Sequence, residues 1–230
     1  MKKLLYIGLV LLLSGCYVDT KTIPQPLDYD FEYNGIAYNI LTNSYNHYEV
    51  SVTASTKPNT YSGAIVIPSK VSYKGEYYTV DEIGYEAFYE SSVYEITLPS
   101  SITEVQEYAF QYSQLKNLII SDSDLPLEVT YGFSDTPIET AYIGRSVSGI
   151  WENSTLNKLT LGESVKRFSI KLNQPLEIYS LSKVPPVLNI EAPEEVFNNS
   201  VVYVPAAAIT DYEDSDSWKQ FKIILVNEDK

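Results

Sequence analysis

The stretch Glu95–Phe110, EITLPSSITEVQEYAF, contains a pattern that recurs later in the chain. Ile96 and Leu98 alternate with polar residues, which is typical of a strand with one buried face. Pro99 then ends the strand, because proline has no N–H to donate to a neighbouring strand. The stretch closes on Ala109-Phe110, a small and a large apolar residue suited to an opposite wall.

The same pattern recurs along the chain at nearly constant spacing. Val93-x-x-Ile96-x-Leu98 is followed 22 residues later by Leu115-x-x-Leu118-x-Ile120, and Ala87-Phe88 precedes Ala109-Phe110 by the same 22 residues. Further copies begin at steps of 23, 18 and 20, namely Ile138-x-x-Ala141-x-Ile143, Leu156-x-x-Leu159-x-Leu161 and Leu176-x-x-Tyr179-x-Leu181. Ile65-x-Ile67-Pro68 and Val202-x-Val204-Pro205 fit as a first and a last, divergent copy.

A period of about 20 to 23 residues with an L-x-x-L-x-L core predicts a leucine-rich-repeat solenoid. We expect a mainly β fold of short parallel strands with irregular or 3-10 returns, since one copy cannot bury its apolar side and stacked copies can. An aromatic column is expected to fill the core, formed by Phe88, Phe110, Phe133, Trp151 and Phe168.

Segments of different pattern flank the repeats, which we place at residues 81–205. Residues 31–80 predict an antiparallel hairpin unit, with Asn34-Gly35 suited to a type I′ turn and Lys74-Gly75-Glu76 marking a second hairpin. Residues 206–230 predict a short helical cap. Tyr212, Trp218, Phe221 and Ile224 are spaced to cover the last repeat.

The first 15 residues have the organisation of a signal peptide. Lys2 and Lys3 precede the apolar run Leu4–Leu13, which is too short for a membrane-spanning helix of about 20 residues. Leu13-Ser14-Gly15-Cys16 resembles the lipobox of bacterial lipoproteins, in which the cysteine is acylated after cleavage. We therefore predict lipidation at Cys16, a tether over 16–30 and an outer-membrane lipoprotein that is anchored to the membrane without crossing it.

Composition excludes several classes of function. The chain has 30 acidic and 16 basic residues, a net charge of −14, which opposes binding to nucleic acid or anionic lipid. It has one Cys and one His, so neither an intrachain disulfide nor a Cys/His zinc site can form, and a catalytic triad would depend on His47 alone. We expect His47 to be a loop or strand-edge residue, and no metal or cofactor is predicted.

Two motifs resemble the BspA-type (Treponema-type) leucine-rich repeats of Bacteroidetes and oral-spirochaete surface proteins, namely Ile83-Gly84-Tyr85-Glu86-Ala87-Phe88 and Ile96–Ile102. The resemblance covers residues 62–225, including the ending from Val204-Pro205 to Trp218-Lys219-Gln220-Phe221, although the copies at 131–181 lose the proline and the Ala-Phe pair. It implies a lipid-anchored surface protein, with adhesion to host proteins, glycoproteins or other bacteria in some members. It implies no catalytic residues.

Three clusters of acidic residues are candidates for a reactive site. Asp122/Asp124 and Glu194/Glu195 could serve a glycosidase only if two carboxyls faced each other across a cleft, which neighbouring loop residues in a solenoid rarely do. The run Asp211–Asp216 lacks the residue order of an EF-hand and predicts a solvated helix face. The protein is therefore expected not to be an enzyme.

The candidate binding surface is the outer face of the repeat sheet. Residues between the inward positions form two columns there, Thr97, Ile119, Tyr142, Thr160, Ser180 and Tyr203, and beside it Glu95, Asn117, Thr140, Lys158, Ile178 and Val201. Ile119, Tyr142, Ile178 and Tyr203 would make an apolar, hydroxyl-bearing patch of the kind that marks binding sites, although ordinary strand propensity also explains them. Tyrosine is biased as well, with 16 of 21 at or before Tyr112, and this suits either recognition or the hairpins.

Two functions remain open on this basis. One is an adhesin-like, surface-displayed protein that binds an extracellular protein or glycan through the sheet face. The other is a structural or accessory subunit that docks on a neighbouring outer-membrane protein. The sequence leaves the ligand, the oligomeric state and a surface or periplasmic orientation undetermined.

Overall fold

The computed structural model describes residues 29–44, 47–55, 61–149, 151–153 and 155–226, with the backbone alone at 44 and 151–153. The predicted signal peptide, Cys16 and nearly all of the predicted tether lie outside these residues. No helix in the described part of the chain has the length and apolar character needed to span a bilayer.

The described part of the chain begins with three antiparallel pairs of strands that lead into the repeats. The strands are β1 (Phe31–Tyr33), β2 (Ile36–Ser44), β3 (His47–Thr53), β4 (Ser62–Val66), β5 (Lys70–Tyr73) and β6 (Glu76–Ile83). Asn34 and Gly35 have φ of 50° and 80°, and Lys74 and Gly75 have φ of 51° and 89°, which confirms a tight turn at each predicted hairpin. The segment is nevertheless mixed, because β3 pairs with β6 and β4 pairs with β7 (Ser92–Leu98) in parallel.

The remaining elements alternate between two sides of the solenoid. In chain order they are β8 (Glu104–Val105), β9 (Asn117–Ile120), β10 (Leu127–Val129), β11 (Thr140–Ile143), β12 (Val147–Ser148), β13 (Trp151–Asn153), β14 (Lys158–Leu161), β15 (Arg167–Leu172), β16 (Glu177–Ser180), β17 (Val187–Glu191), α1 (Glu194–Asn199), β18 (Val201–Val204), a 3-10 turn (Ala206–Ala208), α2 (Ile209–Asp214) and β19 (Ile223–Val226).

These strands form three sheets around one core. The front sheet has the order β19-β18-β16-β14-β11-β9-β7-β4 and is parallel throughout. The back sheet has the order β1-β2-β3-β6-β8-β10-β12, with β5 beside β6, and the small sheet has the order β13-β15-β17. The predicted solenoid of short parallel strands is thereby confirmed.

Three adjacent residues of the front sheet, Ile178, Tyr179 and Ser180, lie on the faces opposite to those predicted. Ile178 pairs with Leu159 and Val202 in the core and is fully buried, so its predicted place on the outer face is wrong. The true step from Leu159 is 19 residues, and a slip of one residue moves every side chain to the other face of a strand. Tyr179 takes the outward position, and Leu181 lies after the strand, where it is half-buried.

The slip has a physical cause in Ser180, which fills an inward position without being apolar. Its side chain is fully buried, and its hydroxyl shares a hydrogen bond of 2.6 Å with the Tyr212 hydroxyl. Tyr212 in turn donates to the Ser182 carbonyl at 2.8 Å. Because the cap supplies these partners, the buried serine is satisfied, and an apolar residue is not required at that position.

The predicted aromatic column is confirmed for Phe88, Phe110 and Phe133. The Phe110 ring stacks on Phe88 at 5.0 Å and on Phe133 at 5.2 Å between ring centroids. Tyr61 extends the column on the other side of Phe88 at 4.8 Å. Phe168 is buried as expected, whereas the side chain of Trp151 lies outside the described residues.

A buried arginine joins coils that are not neighbours. Arg145 follows β11 and is fully buried, and its guanidinium donates to the Ser100 and Pro99 carbonyls after β7, each at 3.1 Å. The coil of β9 lies between them. Burial lowers the pKa of Arg145, and its Nε has no hydrogen-bond partner among the described residues.

The carboxyl-terminal segment covers the last repeat as predicted. Tyr212, Trp218 and Phe221 are buried, and the Trp218 indole N–H donates to the Pro186 carbonyl at 2.9 Å. Sequence reasoning missed β19, which adds a further parallel strand to the front sheet beside β18. Three of its four side chains are partly open to solvent, Ile223 at 36%, Leu225 at 44% and Val226 at 38% exposed.

Candidate interaction surface

The outer face of the front sheet presents two columns of side chains in register. The first is half-buried along its length and consists of Thr97, Ile119, Tyr142, Thr160, Tyr179 and Tyr203. The second consists of Glu95, Asn117, Thr140, Lys158, Glu177 and Val201. The parallel pairing brings these residues together from copies that are distant in sequence.

Two tyrosines form the aromatic centre of this face. The rings of Tyr179 and Tyr203 stack with centroids 4.6 Å apart and planes 14° apart. Lys158 Nζ lies 4.8 Å from the centroid of the Tyr179 ring, and the Tyr179 hydroxyl donates to Glu177 at 3.2 Å. Both tyrosines are half-buried, so part of each stays open to solvent. Because their mutual contact orients the rings, little rotamer entropy is lost when a ligand packs on them.

Tyr142 is held by a carboxylate from the preceding coil. Its hydroxyl lies 3.0 Å from each Asp122 carboxylate oxygen and donates to that group. Burial, followed by the hydrogen bond to Asp122, raises the pKa of Tyr142 to about 12. A Cβ at Gly162 would come within 2.7 Å of Asp122 Oδ1 and 3.0 Å of the Tyr142 hydroxyl, so a glycine keeps the room for this pair.

A chain of polar side chains crosses the second column. Thr140 donates to the Asn117 side-chain carbonyl at 2.7 Å, and the Asn117 amide donates to Glu95 at 3.4 Å. Lys116 and Glu139, at the start of the same coils, form an ion pair of 2.8 Å. The second column therefore uses much of its polar capacity internally, and the partly exposed tyrosines of the first column are the better candidates for contact with a ligand.

Three of the four residues predicted for the surface lie together on this face, namely Ile119, Tyr142 and Tyr203. Ile178 lies in the core, and Tyr179 is the surface residue that sequence reasoning missed. The signal was available, since a tyrosine standing in a leucine position of a half-exposed strand indicates that the register should be shifted by one residue.

The acidic residues that were candidates for a reactive site have structural roles or lie on a helix. Asp122 accepts the Tyr142 hydrogen bond, and Glu194 and Glu195 lie in the first turn of α1. His47 stands at the exposed start of β3, 2.7 Å from Glu49. In the described ranges no three His, Cys, Asp or Glu side chains come together in a way that could hold a metal ion.

Residues 77–174 match six copies of the BspA type leucine rich repeat region. This segment is a BspA-type leucine-rich-repeat region. It contains Ile119 and Tyr142, whereas the stacked pair of Tyr179 and Tyr203 lies beyond residue 174, on strands that continue the front sheet of the BspA-type repeats.

Several solved structures are similar to this chain. A leucine rich cell surface protein from Faecalibacterium prausnitzii A2-165 is 18% identical, with a TM-score of 0.42, over 76% of this chain and 54% of that protein, so the match spans about half of its length. The pneumococcal vaccine antigen PcpA is 13% identical, with a TM-score of 0.31, over 86% and 98% of the two chains. A leucine-rich repeat protein from Bacteroides ovatus ATCC 8483 is 18% identical, with a TM-score of 0.34, over 86% and 79%. No curated protein matches.

Proposed function

We propose that the protein is a lipid-anchored, surface-displayed binding protein that holds an extracellular protein or glycan on the outer face of its front sheet. The observation that carries the proposal is the stacked pair of Tyr179 and Tyr203 in line with Tyr142 on one face. Tyrosines offer a large contact area with a polar tip, which suits both a protein surface and the apolar face of a sugar. The BspA-type repeats of residues 77–174 favour display outside the cell.

The binding face is tested with the fragment 17–230 in a pull-down from extracellular material and on a glycan array. The variant Tyr142→Ala/Tyr179→Ala/Tyr203→Ala should lose at least about tenfold in affinity, because exposed aromatic anchors carry much of the binding energy. Tyr77→Ala is the matched control, since Tyr77 is 72% exposed on β6 of the back sheet. Undiminished binding by the triple variant would reject this face as the site.

The anchor is proposed at Cys16, the single cysteine of the chain, in the lipobox-like Leu13-Ser14-Gly15-Cys16. Metabolic labelling with a fatty acid should acylate the wild-type protein and leave Cys16→Ser unlabelled. Added protease should cleave the protein on intact cells if it faces outward. Protection from the protease in intact cells, with cleavage after lysis, would contradict an adhesive role.

A structural or accessory subunit of an outer-membrane complex is the second candidate, and the exposed strand β19 favours it. Among the described strands β19 pairs with β18 alone, and Ile223, Leu225 and Val226 remain partly exposed there. A sheet edge of this kind can accept a strand from a neighbouring protein. Crosslinking in intact cells separates the candidates, because a stable bacterial partner supports the subunit and an extracellular ligand supports the adhesin.

A further inference from the structure

The turns that lead from the back sheet to the front sheet display a second group of tyrosines. We call it the turn face, and it consists of Tyr85, Tyr89, Tyr108, Tyr112 and Tyr131. Successive turns stack through backbone bonds such as Phe88 N–H to the Ala109 carbonyl, at 2.7 Å. Tyr85 and Tyr108 meet edge to face at 6.0 Å, and Tyr89 and Tyr112 do so at 5.7 Å.

The backbone does not explain why tyrosine stands at these positions. Tyr108, Tyr112 and Tyr131 have φ of 58°, 58° and 52°, a left-handed conformation that bulky residues rarely adopt and that glycine and asparagine adopt with less strain. Tyr112 and Tyr131 are 56% and 62% exposed, so burial of their rings does not offset the strain. Strained residues with exposed aromatic rings point to a role in binding.

Carboxylates lie close to two of these rings, with Glu86 and Glu107 near the Tyr85 phenol and Glu86 and Glu90 near the Tyr89 phenol. Residues 75–115 contain no Lys or Arg, and the acidic residues of this range are Glu76, Asp81, Glu82, Glu86, Glu90, Glu95, Glu104 and Glu107. A hydrogen bond to Glu86 raises the pKa of the Tyr85 phenol. Asp135 lies on the next turn beside Tyr112, whose backbone N–H donates to the Asp135 carbonyl at 3.3 Å. The Asp135 carboxylate accepts a hydrogen bond from the side-chain amide of Gln111 at 2.9 Å. The turn face is thus an array of phenol rings within a field of negative charge.

A hollow opens at one end of the array, beside Tyr131. Its volume is about 260 Å³, and Glu128, Tyr131 and Gly149 are among the residues that line it. This is below the roughly 300 Å³ at which sites for drug-sized ligands begin. A hollow of this size lined by a glutamate and a tyrosine suits one long cationic side chain.

We propose that the turn face binds a basic segment of a polypeptide, with arginine side chains stacked on the tyrosine rings and paired with the interleaved carboxylates. Guanidinium groups fit because they are planar, stack on aromatic rings and bind carboxylates in a bidentate manner. Nucleic acid and anionic lipid carry the same sign of charge as this face and are disfavoured. A second copy of the chain is disfavoured for the same reason, since its net charge is −14.

The test uses the full chain in a neutral detergent and an arginine octapeptide as the probe, with titration calorimetry at physiological salt. The wild-type protein should bind the arginine octapeptide more tightly than a lysine octapeptide, and it should not bind a glutamate octapeptide. Tyr108→Asn/Tyr112→Asn/Tyr131→Asn should weaken binding of the arginine octapeptide by at least about tenfold, as expected for several cation–π contacts. Its melting temperature should stay the same or rise, because asparagine tolerates the left-handed backbone.

Matched variants separate the contribution of the tyrosine rings to binding from that of the carboxylates. Tyr77→Ala should bind the arginine octapeptide as the wild-type protein does, although Tyr77 is also exposed beside a carboxylate, Glu76. Glu90→Gln/Asp135→Asn should weaken binding with the backbone and the rings unchanged, which keeps the test decisive if the triple variant folds poorly. Equal affinity of the triple variant and the wild-type protein, no binding by the wild-type protein, or binding of the glutamate octapeptide would each overturn the proposal. The front-sheet site can fail its own test with these results unaffected.

Discussion

Replacing Ile178 and its neighbour Tyr179 by alanine, one at a time, tests the register of β16. Ile178→Ala removes a fully buried side chain that lies between Leu159 and Val202. The lost apolar groups cost about 2.4 kcal/mol at about 0.8 kcal/mol per methylene, and the cavity adds to this, so we expect a loss of about 3.5 kcal/mol in the free energy of unfolding.

Tyr179→Ala should cost much less because the ring lies on the outer face. It gives up the stack with Tyr203, worth about 1 kcal/mol, and the contact with Lys158, worth about 0.5 kcal/mol at an exposed site. We therefore expect a loss of about 1.5 kcal/mol.

The assay is urea unfolding followed by circular dichroism and tryptophan fluorescence. With a slope of about 2 kcal/mol per molar urea, the midpoint should fall by about 1.7 M for Ile178→Ala and by less than about 1 M for Tyr179→Ala. Tyr203→Ala serves as the control and should resemble Tyr179→Ala. A larger loss for Tyr179→Ala than for Ile178→Ala would refute the register, because it would place the tyrosine in the core.

Three further perturbations address the core, the front-sheet surface and a close backbone approach. Phe110→Ala should lower the free energy of unfolding by about 4 kcal/mol, since the ring is fully buried and stacked on both sides; a loss under about 1 kcal/mol in urea unfolding would contradict the aromatic column. Asp122→Asn should lower the pKa of Tyr142 from about 12 while leaving it above the ordinary 10.0, because burial is the larger cause of the shift. The stability linked to this phenol is complete below pH 10 and is lost as the pH rises through about 12; an unchanged titration by tyrosine NMR would disprove the hydrogen bond. Gly144→Ala should cost about 2–3 kcal/mol, because the new Cβ would lie 2.5 Å from the Asp122 amide nitrogen; an unchanged melting temperature would show that the coils can separate.

The regular copies could be predicted from sequence because each residue type there has one physical task. In Glu95–Phe110 the alternation of Ile96 and Leu98, the stop at Pro99 and the closing Ala109-Phe110 all agree, and all five residues lie where they were expected. Agreement between local preference and the stacked fold makes such copies easy to recognise.

The prediction failed where the fold uses partners that are remote in sequence. Ser180 occupies a core position only because Tyr212, 32 residues later, satisfies its hydroxyl. The stack of Tyr179 on Tyr203 depends on the same register and was missed with it. The spacing of the copies varies from 18 to 24 residues, so there is no constant offset from which the inward positions could be predicted.

The turn face was visible in the sequence as a tyrosine bias, but its geometry was not. Residues in the left-handed conformation of a turn are usually glycine or asparagine, which makes such turns recognisable in a sequence. Here Tyr108, Tyr112 and Tyr131 adopt that conformation themselves, so nothing in the local sequence marked these positions as turns.

Arg145 sets a limit on how this solenoid can change in length. Repeat proteins usually gain or lose whole coils, because each coil touches only the next one. The Arg145 guanidinium instead reaches past the coil of β9 to the Pro99 and Ser100 carbonyls. Excising or duplicating that coil would separate the buried guanidinium from these carbonyls and leave its positive charge unpaired in the apolar interior. We therefore expect natural insertions and engineered extensions to be tolerated elsewhere along the stack.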